Sequence, residues 1–173
     1  MFKDLILAAP ARLGSTRLVA VDGPAGAGKS TLVRALGAEL GAMVLKTDHF
    51  ATWEDPVAWW PRLVEGVLDP FARGETGRYQ RMHWDGAFAN LREWITVEPP
   101  EVLVLEGVSS ARRSNASRLS FAIWVDGPSE AERLERAVAR DGESNRKYLR
   151  RWQEFERGWF AVDDTRARAD RIV

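Results

Sequence analysis

The sequence contains no cysteine in its 173 residues, which excludes disulfide bonds, thiol catalysis and cysteine-ligated metal sites. It also lacks an apolar run long enough to cross a bilayer. The apolar stretch near the N-terminus is short and contains Asp4, which argues against a secretory signal peptide. These absences are typical of a protein of the reducing cytoplasm, and we expect that localisation and no membrane partner.

The chain has no excess of charge of either sign. It contains 25 Lys and Arg residues and 25 Asp and Glu residues, so no global field favours nucleic acid as a partner. The chain is long enough to bury its own core and shows no internal repeat or interdomain linker. We therefore expect a single domain over residues 1–173. Both a monomer and a homo-oligomer are compatible with these features.

One stretch organises the rest of the sequence. Residues 18–21 form an apolar, β-branched run that predicts a buried parallel strand. Residues 23–30 then read G-x-x-x-x-G-K-S, the phosphate-binding loop or Walker A motif. From Thr31 onward, apolar residues recur at helical spacing, so the loop opens a helix whose N-terminus favours an anion. This strand–loop–helix context predicts binding of a nucleoside triphosphate.

Each part of the loop has its own expected role. The glycines let backbone N–H groups point toward phosphate oxygens. Lys29 supplies a positive charge to the phosphates, and the Ser30 hydroxyl can ligate Mg²⁺. The expected nucleotide-binding residues are Gly23, Pro24, Ala25, Gly26, Ala27, Gly28, Lys29, Ser30 and Thr31.

Strand and helix patterns alternate along the remaining chain. Further strands are predicted at 42–46, 102–105, 121–125 and 171–173. Helices are predicted at 2–9, from Asp55 through Val67 with Pro61 as a kink, from a Ser129–Glu132 capping box onward, and at 146–162. Residues 69–89 show no clear periodicity and fit either an irregular loop or a substrate-facing insertion. The alternation predicts an α/β fold with a mostly parallel sheet covered on both faces.

Three acidic residues fall where apolar strands end, the edge at which open α/β sheets bind ligands. Asp22 directly precedes the loop, and we expect it to be structural. Asp48 and Glu106 are the stronger functional candidates, because a kinase needs one carboxylate to take the acceptor's proton and another acid to hold Mg²⁺ or its waters. Acids after strands also cap helices, which is the alternative for both.

A basic helix follows the capping box. Arg133, Arg136 and Arg140 are spaced by three and four residues and so share one helix face. Three aligned guanidinium groups can clamp the charge that develops on a transferring phosphoryl group. A solvated face paired with neighbouring glutamates is the alternative.

Four motifs together resemble the uridine kinase-like P-loop kinases, which are related to phosphoribulokinase. They are the loop at 23–31, Asp48-His49-Phe50, the strand end at 103–107, and the Arg-Leu-x-Arg-x-x-x-Arg-Asp pattern at 133–141. The resemblance implies a P-loop NTPase fold with a five-stranded sheet of order 2-3-1-4-5 and an arginine-bearing lid.

The resemblance also implies roles for single residues. Asp48 would be the general base, and Ser30 with Glu106 would hold Mg²⁺. Arg136 and Arg140 would act in the lid and Lys29 in the loop as catalytic cations, with ATP as co-substrate. The segment from residue 79 corresponds to one that grips a nucleoside base in uridine kinases. The substrate-binding candidates are Asp48, Tyr79, Arg81 and His83.

The sequence therefore predicts an ATP- and Mg²⁺-dependent kinase for a hydroxyl of a small molecule, with a nucleoside as the first candidate. Two alternatives stay open. A nucleoside monophosphate kinase would need arginines for the acceptor phosphate, which Arg78 and Arg81 could supply. A nucleotide-binding regulatory module would have no need for Asp48. The sequence contains no Asn-Lys-x-Asp guanine motif, which disfavours a GTPase.

Overall fold

A parallel sheet forms the centre of the computed structural model, which describes residues 2–52, 56–85 and 88–173. Its strands are β1 (Arg17–Asp22), β2 (Met43–Lys46), β5 (Val102–Glu106), β6 (Leu119–Trp124) and β7 (Arg171–Ile172). They lie in the order β2-β5-β1-β6-β7, and every neighbouring pair is parallel. Counted within this sheet alone, the order is 2-3-1-4-5, as the resemblance implied.

The helices lie on both faces of the sheet because side chains alternate along its strands. Val19 and Val21 of β1 face a cluster that includes Val33 and Leu36 of α2 (Lys29–Leu40) and Ile6 of α1 (Phe2–Ala8). Leu18 faces the opposite cluster, whose members include residues of a helical segment and of the hairpin described below. The central strand is therefore buried on both sides, as its apolar run predicted.

The helical segment over residues 60–72 differs from the prediction. It consists of α3 (Trp60–Leu63), a π-helical turn (Val64–Leu68) and α4 (Asp69–Ala72). The helix begins at Trp60, so Pro61 lies in its first turn, where a missing N–H costs nothing, and does not kink it. Asp55, the expected N-cap, lies outside the described residues.

An antiparallel hairpin occupies most of the region without periodicity. β3 (Gly77–Asp85) pairs with β4 (Phe88–Val97), with a register shift after Gln80. Of the two alternatives left open for this region, the irregular loop is therefore wrong for these residues. β3 gives no alternating signal because polar or charged side chains stand on both of its faces.

Two helices lie between β6 and β7. The predicted capping box is confirmed, because Ser129 and Glu132 bond each other's backbone N–H at the start of α5 (Glu130–Asp141). The long helix α6 (Arg146–Asp163) agrees with the predicted bounds. Within the described ranges, no helix combines the length and the apolar character needed to span a membrane.

Candidate active site

The loop between β1 and α2 has the backbone conformation that its glycines predicted. Gly23, Gly26 and Gly28 have φ angles of 138°, 77° and 105°, which side chains other than glycine rarely adopt. A Cβ on Gly23 would lie 2.3 Å from the Val125 carbonyl oxygen. Gly28 is the N-cap of α2 and brings no side chain to cap it. The N-terminus of α2 is therefore suited to an anion.

Lys29 is folded back onto the loop. Its Nζ donates hydrogen bonds of 2.8 Å to the carbonyl oxygens of Gly23 and Pro24, and the residue is only 8% exposed. Burial lowers the pKa of Lys29, and nearby negative charges oppose that shift. These charges belong to Glu156, Asp22, Asp48 and Glu106.

Asp22 has a structural role, as the sequence suggested. Its fully buried carboxylate accepts backbone hydrogen bonds from Gly23 (2.7 Å), Ser109 (3.1 Å) and Ala111 (2.9 Å). Burial raises its pKa to about 6, while these N–H groups and Lys29 act in the opposite direction. Asp22 thus joins the start of the phosphate loop to the loop that follows β5.

The two predicted metal ligands contact each other. Ser30 Oγ donates to Glu106 Oε1 at 2.5 Å, and Glu106 is the last residue of β5. A hydroxyl and a carboxylate are hard oxygen donors that suit Mg²⁺, which usually completes its shell with waters and substrate phosphates. The described residues contain no group of three or more His, Asp or Glu side chains able to hold a metal by themselves. The pair therefore fits a nucleotide-bound Mg²⁺.

Asp48 lies in a short 3₁₀ turn (Thr47–His49) directly after β2. Its side chain is exposed, and no side chain caps this turn. Its charge nevertheless acts on Lys29, on His49 and on Arg140. This geometry gives no support to the helix-cap alternative for Asp48.

The hairpin packs against the same turn. Trp84 Nε1 donates to the Asp48 carbonyl oxygen at 2.8 Å. The Tyr79 hydroxyl lies 3.1 Å from His49 Nδ1, and the Tyr79 ring lies 4.8 Å from the Phe50 ring, centroid to centroid. The structure thus brings the predicted base and the predicted substrate segment together.

The other hairpin candidates divide between two faces. Arg81 forms an ion pair with Glu93, and its charge adds to burial in lowering the pKa of His49. Arg78 instead stacks on Trp94, 4.5 Å from its ring centroid. Arg78 directly precedes Tyr79 in the regular part of β3 and so lies on the other face, whereas the charge of Arg81 acts on Tyr79 and His49. Half-buried His83 pairs with Asn90 in the ladder, and its substrate role stays a prediction.

The three arginines of α5 differ in their surroundings. Arg140 donates two hydrogen bonds of 2.6 Å to the carboxylate of Asp141. Its pKa is raised by this contact and by the negative charges of Asp141, Asp48 and Glu106. Arg136 is exposed and lowers the pKa of Glu132. Arg133 donates to the Pro128 carbonyl oxygen at 2.8 Å. The charge of Arg140 therefore interacts with both Asp48 and Glu106.

Sequence reasoning missed Glu156, whose carboxylate contacts the phosphate loop. Both of its oxygens accept from the Ala25 N–H, at 3.0 and 3.1 Å. No motif marks this residue. The available signal is its spacing, because Leu149, Gln153 and Glu156 form the buried stripe of α6.

Comparisons with known proteins agree with this geometry. The cytidylate kinase family model matches residues 19–52, which include the phosphate loop and Asp48. A bifunctional pantoate ligase/cytidylate kinase of Synechococcus sp. (strain WH7803) is 42% identical over 67 residues. That match covers 32% of this chain and only 13% of the relative's length.

Solved structures match over most of the chain. A structure described as a possible uridine kinase from Bacillus stearothermophilus has a TM-score of 0.70 at 15% identity, over 99% of this chain and 94% of that one. A candidate fructose transport system kinase from Silicibacter sp. TM1040 has a TM-score of 0.60 at 19% identity, over 88% and 93%. The chain has the fold of uridine kinase-like P-loop kinases, and the predicted fold class is confirmed.

Proposed function

We propose that this protein is an ATP- and Mg²⁺-dependent kinase that transfers the γ-phosphoryl group to a hydroxyl of a small molecule. The observation that carries the proposal is the setting of Asp48, an exposed residue whose charge acts on the loop lysine and whose backbone carbonyl bonds Trp84 of the hairpin. A protein that only binds nucleotide has no need for such a group. Phosphoryl transfer needs one to orient the acceptor hydroxyl and to take its proton.

In this mechanism the loop and its neighbours hold the nucleotide. Lys29 leaves the carbonyl oxygens of Gly23 and Pro24 and bonds the phosphates instead. Ser30 and Glu106 would hold Mg²⁺, and the bound ion would supply positive charge at the phosphates. Arg140 and Arg136 close over the transferring group from α5 and stabilise its charge.

The acceptor would lie against the hairpin. The charge of Arg81 acts on both Tyr79 and His49. His83 follows on the same strand, and Tyr79 contacts the turn that carries Asp48. Tyr79 is 4% exposed and packed on Phe50, so its ring supports this site, and the polar side chains of Arg81 and His83 suit the hydroxyls and base edge of a nucleoside. We therefore propose a nucleoside as the first acceptor to test.

A nucleoside monophosphate acceptor is the weaker alternative. It would need two or more arginines converging on the acceptor phosphate. Arg78 lies on the other face of β3 from Tyr79 and is stacked on the half-exposed Trp94, whereas the charge of Arg81 acts on Tyr79 and His49. This separation favours a neutral hydroxyl acceptor over a phosphorylated one.

The test is a screen of nucleosides, nucleoside monophosphates and sugars for acceptor-dependent ADP formation with Mg²⁺ and either ATP or GTP. We expect at least one nucleoside to accelerate ADP formation and to yield a phosphorylated product by mass spectrometry. The Asp48→Asn variant, run in parallel, separates transfer from background hydrolysis. If nucleotide binds and no acceptor in the panel accelerates ADP formation, the regulatory-module alternative replaces this proposal.

A further inference from the structure

A carboxylate from the far end of the chain lies inside the phosphate loop. Glu156 belongs to α6 and is separated from Ala25 by 131 residues in sequence. Both of its carboxylate oxygens lie within 3.1 Å of the Ala25 backbone nitrogen. The side chain is 2% exposed, so the contact belongs to the interior of the protein.

The groups around Glu156 are those that a phosphate would use. Besides the Ala25 N–H, the cations of Lys29 on α2 and Arg133 on α5 act on this carboxylate, and the Trp152 side chain bonds it from the same helix. Burial raises its pKa to about 7, while all four groups oppose that rise. A backbone N–H of a phosphate loop together with a lysine and an arginine is an anion site.

The state of Lys29 fits this interpretation. Its ammonium group bonds two carbonyl oxygens of the loop itself instead of projecting away from the loop. The loop N–H at Ala25 and the loop lysine therefore both have internal partners. A nucleotide that binds here must replace both sets of contacts.

We propose that Glu156 is an internal phosphate mimic that competes with the nucleotide for the phosphate loop and so determines the affinity for nucleotide. The inference rests on the proposed function only in that the loop binds nucleoside phosphates. When a phosphate arrives, the ionised carboxylate must withdraw from Ala25, because two anions cannot share one set of donors. Removal of its charge should therefore strengthen binding rather than weaken it.

The test compares Glu156→Gln with the wild type by titration calorimetry with MgATP and, separately, with inorganic tripolyphosphate and Mg²⁺. The variant is nearly isosteric and keeps an acceptor for the Ala25 N–H. Above pH 7, we expect it to bind both ligands on the order of tenfold more tightly. This factor corresponds to the lower end of the energy range for one hydrogen bond to a charged group. Glu154→Gln removes an exposed charge two residues away and should change neither affinity.

Unchanged or weaker binding by Glu156→Gln, with a melting temperature like that of the wild type, would overturn the inference and leave Glu156 as a support for the loop. A wild type that binds neither ligand would overturn the proposed function instead. A wild type that binds MgATP without transferring phosphate to any acceptor leaves the competition measurable and contradicts only the kinase proposal.

The pH dependence of the wild type gives a second test if the variant folds poorly. Glu156 has a pKa of about 7 in the free protein, so it is neutral at lower pH and charged at higher pH. Wild-type affinity for MgATP should therefore fall as the pH rises through about 7. In a folded Glu156→Gln, this part of the fall should vanish, while titration of the nucleotide, Lys29 and Asp22 and the charge of Arg133 are common to both proteins. A wild-type affinity that does not fall over this range would contradict the inference.

Discussion

Ser30 Oγ donates a hydrogen bond of 2.5 Å to Glu106 Oε1 and so joins the first turn of α2 to the end of β5. The two residues are 76 positions apart in the sequence, and they meet because β1 and β5 are parallel neighbours whose carboxyl ends share one edge. The contact is therefore a product of strand order, and it assembles two oxygen donors suited to Mg²⁺.

The first prediction concerns Glu106→Gln. The amide removes the charge that would hold Mg²⁺, and it keeps an oxygen for the Ser30 hydroxyl. We expect the Mg²⁺ concentration needed for half-maximal turnover to rise by roughly 10-fold or more. The affinity for ATP measured in the presence of EDTA should stay close to that of the wild type. Equal Mg²⁺ dependence in both proteins would remove Glu106 from the metal site.

The second prediction tests the contact between the β5 end and the turn of Asp48. Gly107 has a φ of 133°, and a Cβ there would lie 2.0 Å from Thr47 Oγ1. Gly107→Ala should therefore lower the free energy of unfolding by about 1–3 kcal/mol, the usual cost of overpacking a core. It should also reduce turnover, because the turn of Asp48 must shift. Chemical denaturation and steady-state kinetics measure the two effects.

Gly158→Ala is the matched control for that variant. Gly158 lies within α6, and nothing would come within 4 Å of an added Cβ. Alanine there should raise the free energy of unfolding by about 0.5–1 kcal/mol through helix propensity. If both alanine variants behaved alike, the close approach of Gly107 to Thr47 would have no energetic significance.

The third prediction concerns the lid. Arg140→Ala should lower kcat by roughly 100-fold or more, with a smaller rise in KM for ATP, because its contact strengthens in the transition state. Arg136 lies one helical turn away, and we expect Arg136→Ala to lower kcat as well. Arg157→Ala, which removes an exposed arginine paired with Glu130 on α5, is the control. Wild-type kcat in both lid variants would make this face of α5 a solvated surface only.

Local sequence signals predicted much of the central fold. The β-branched run before Gly23 and the apolar spacing after Thr31 each produced the expected element, and so did the Ser129–Glu132 box. In these stretches the residues that set local structure also face the core. The order of the strands in the sheet was predicted from the family resemblance, because no local sequence pattern indicates which strands pair.

The hairpin and Glu156 were not predictable in the same way. In β3 the buried residues Tyr79 and Met82 are three positions apart across a register shift, so hydrophobic alternation cannot mark the strand. Glu156 contacts Ala25 across 131 residues, and only the packing of α6 against the loop determines that contact. For the same reason, the sequence could not show that the charge of Arg140 interacts with Asp48 and Glu106.

The last prediction is Asp48→Asn. Asparagine keeps the size of the side chain, and the Trp84 bond to the Asp48 carbonyl oxygen does not depend on it. Because no side chain caps the turn, the free energy of unfolding should change by less than about 0.5 kcal/mol. ATP affinity should stay near that of the wild type, since the loop is untouched. Acceptor-dependent turnover should fall by roughly 10²–10⁴, the range for loss of a general base.

Three measurements on this variant decide between the remaining interpretations. Asp164→Asn is the control, because Asp164 is an exposed residue with a φ of 53°, a conformation that asparagine also tolerates. It should leave ATP binding, turnover and melting temperature unchanged. If Asp48 were a cap, Asp48→Asn would keep both stability and activity because Asn caps as well as Asp, and Asp48→Ala would lose about 1 kcal/mol of stability with activity intact. A protein whose ADP formation no acceptor accelerates, in either variant or the wild type, would be a binding module. Loss of turnover with binding and stability retained identifies the Asp48 carboxylate as the base.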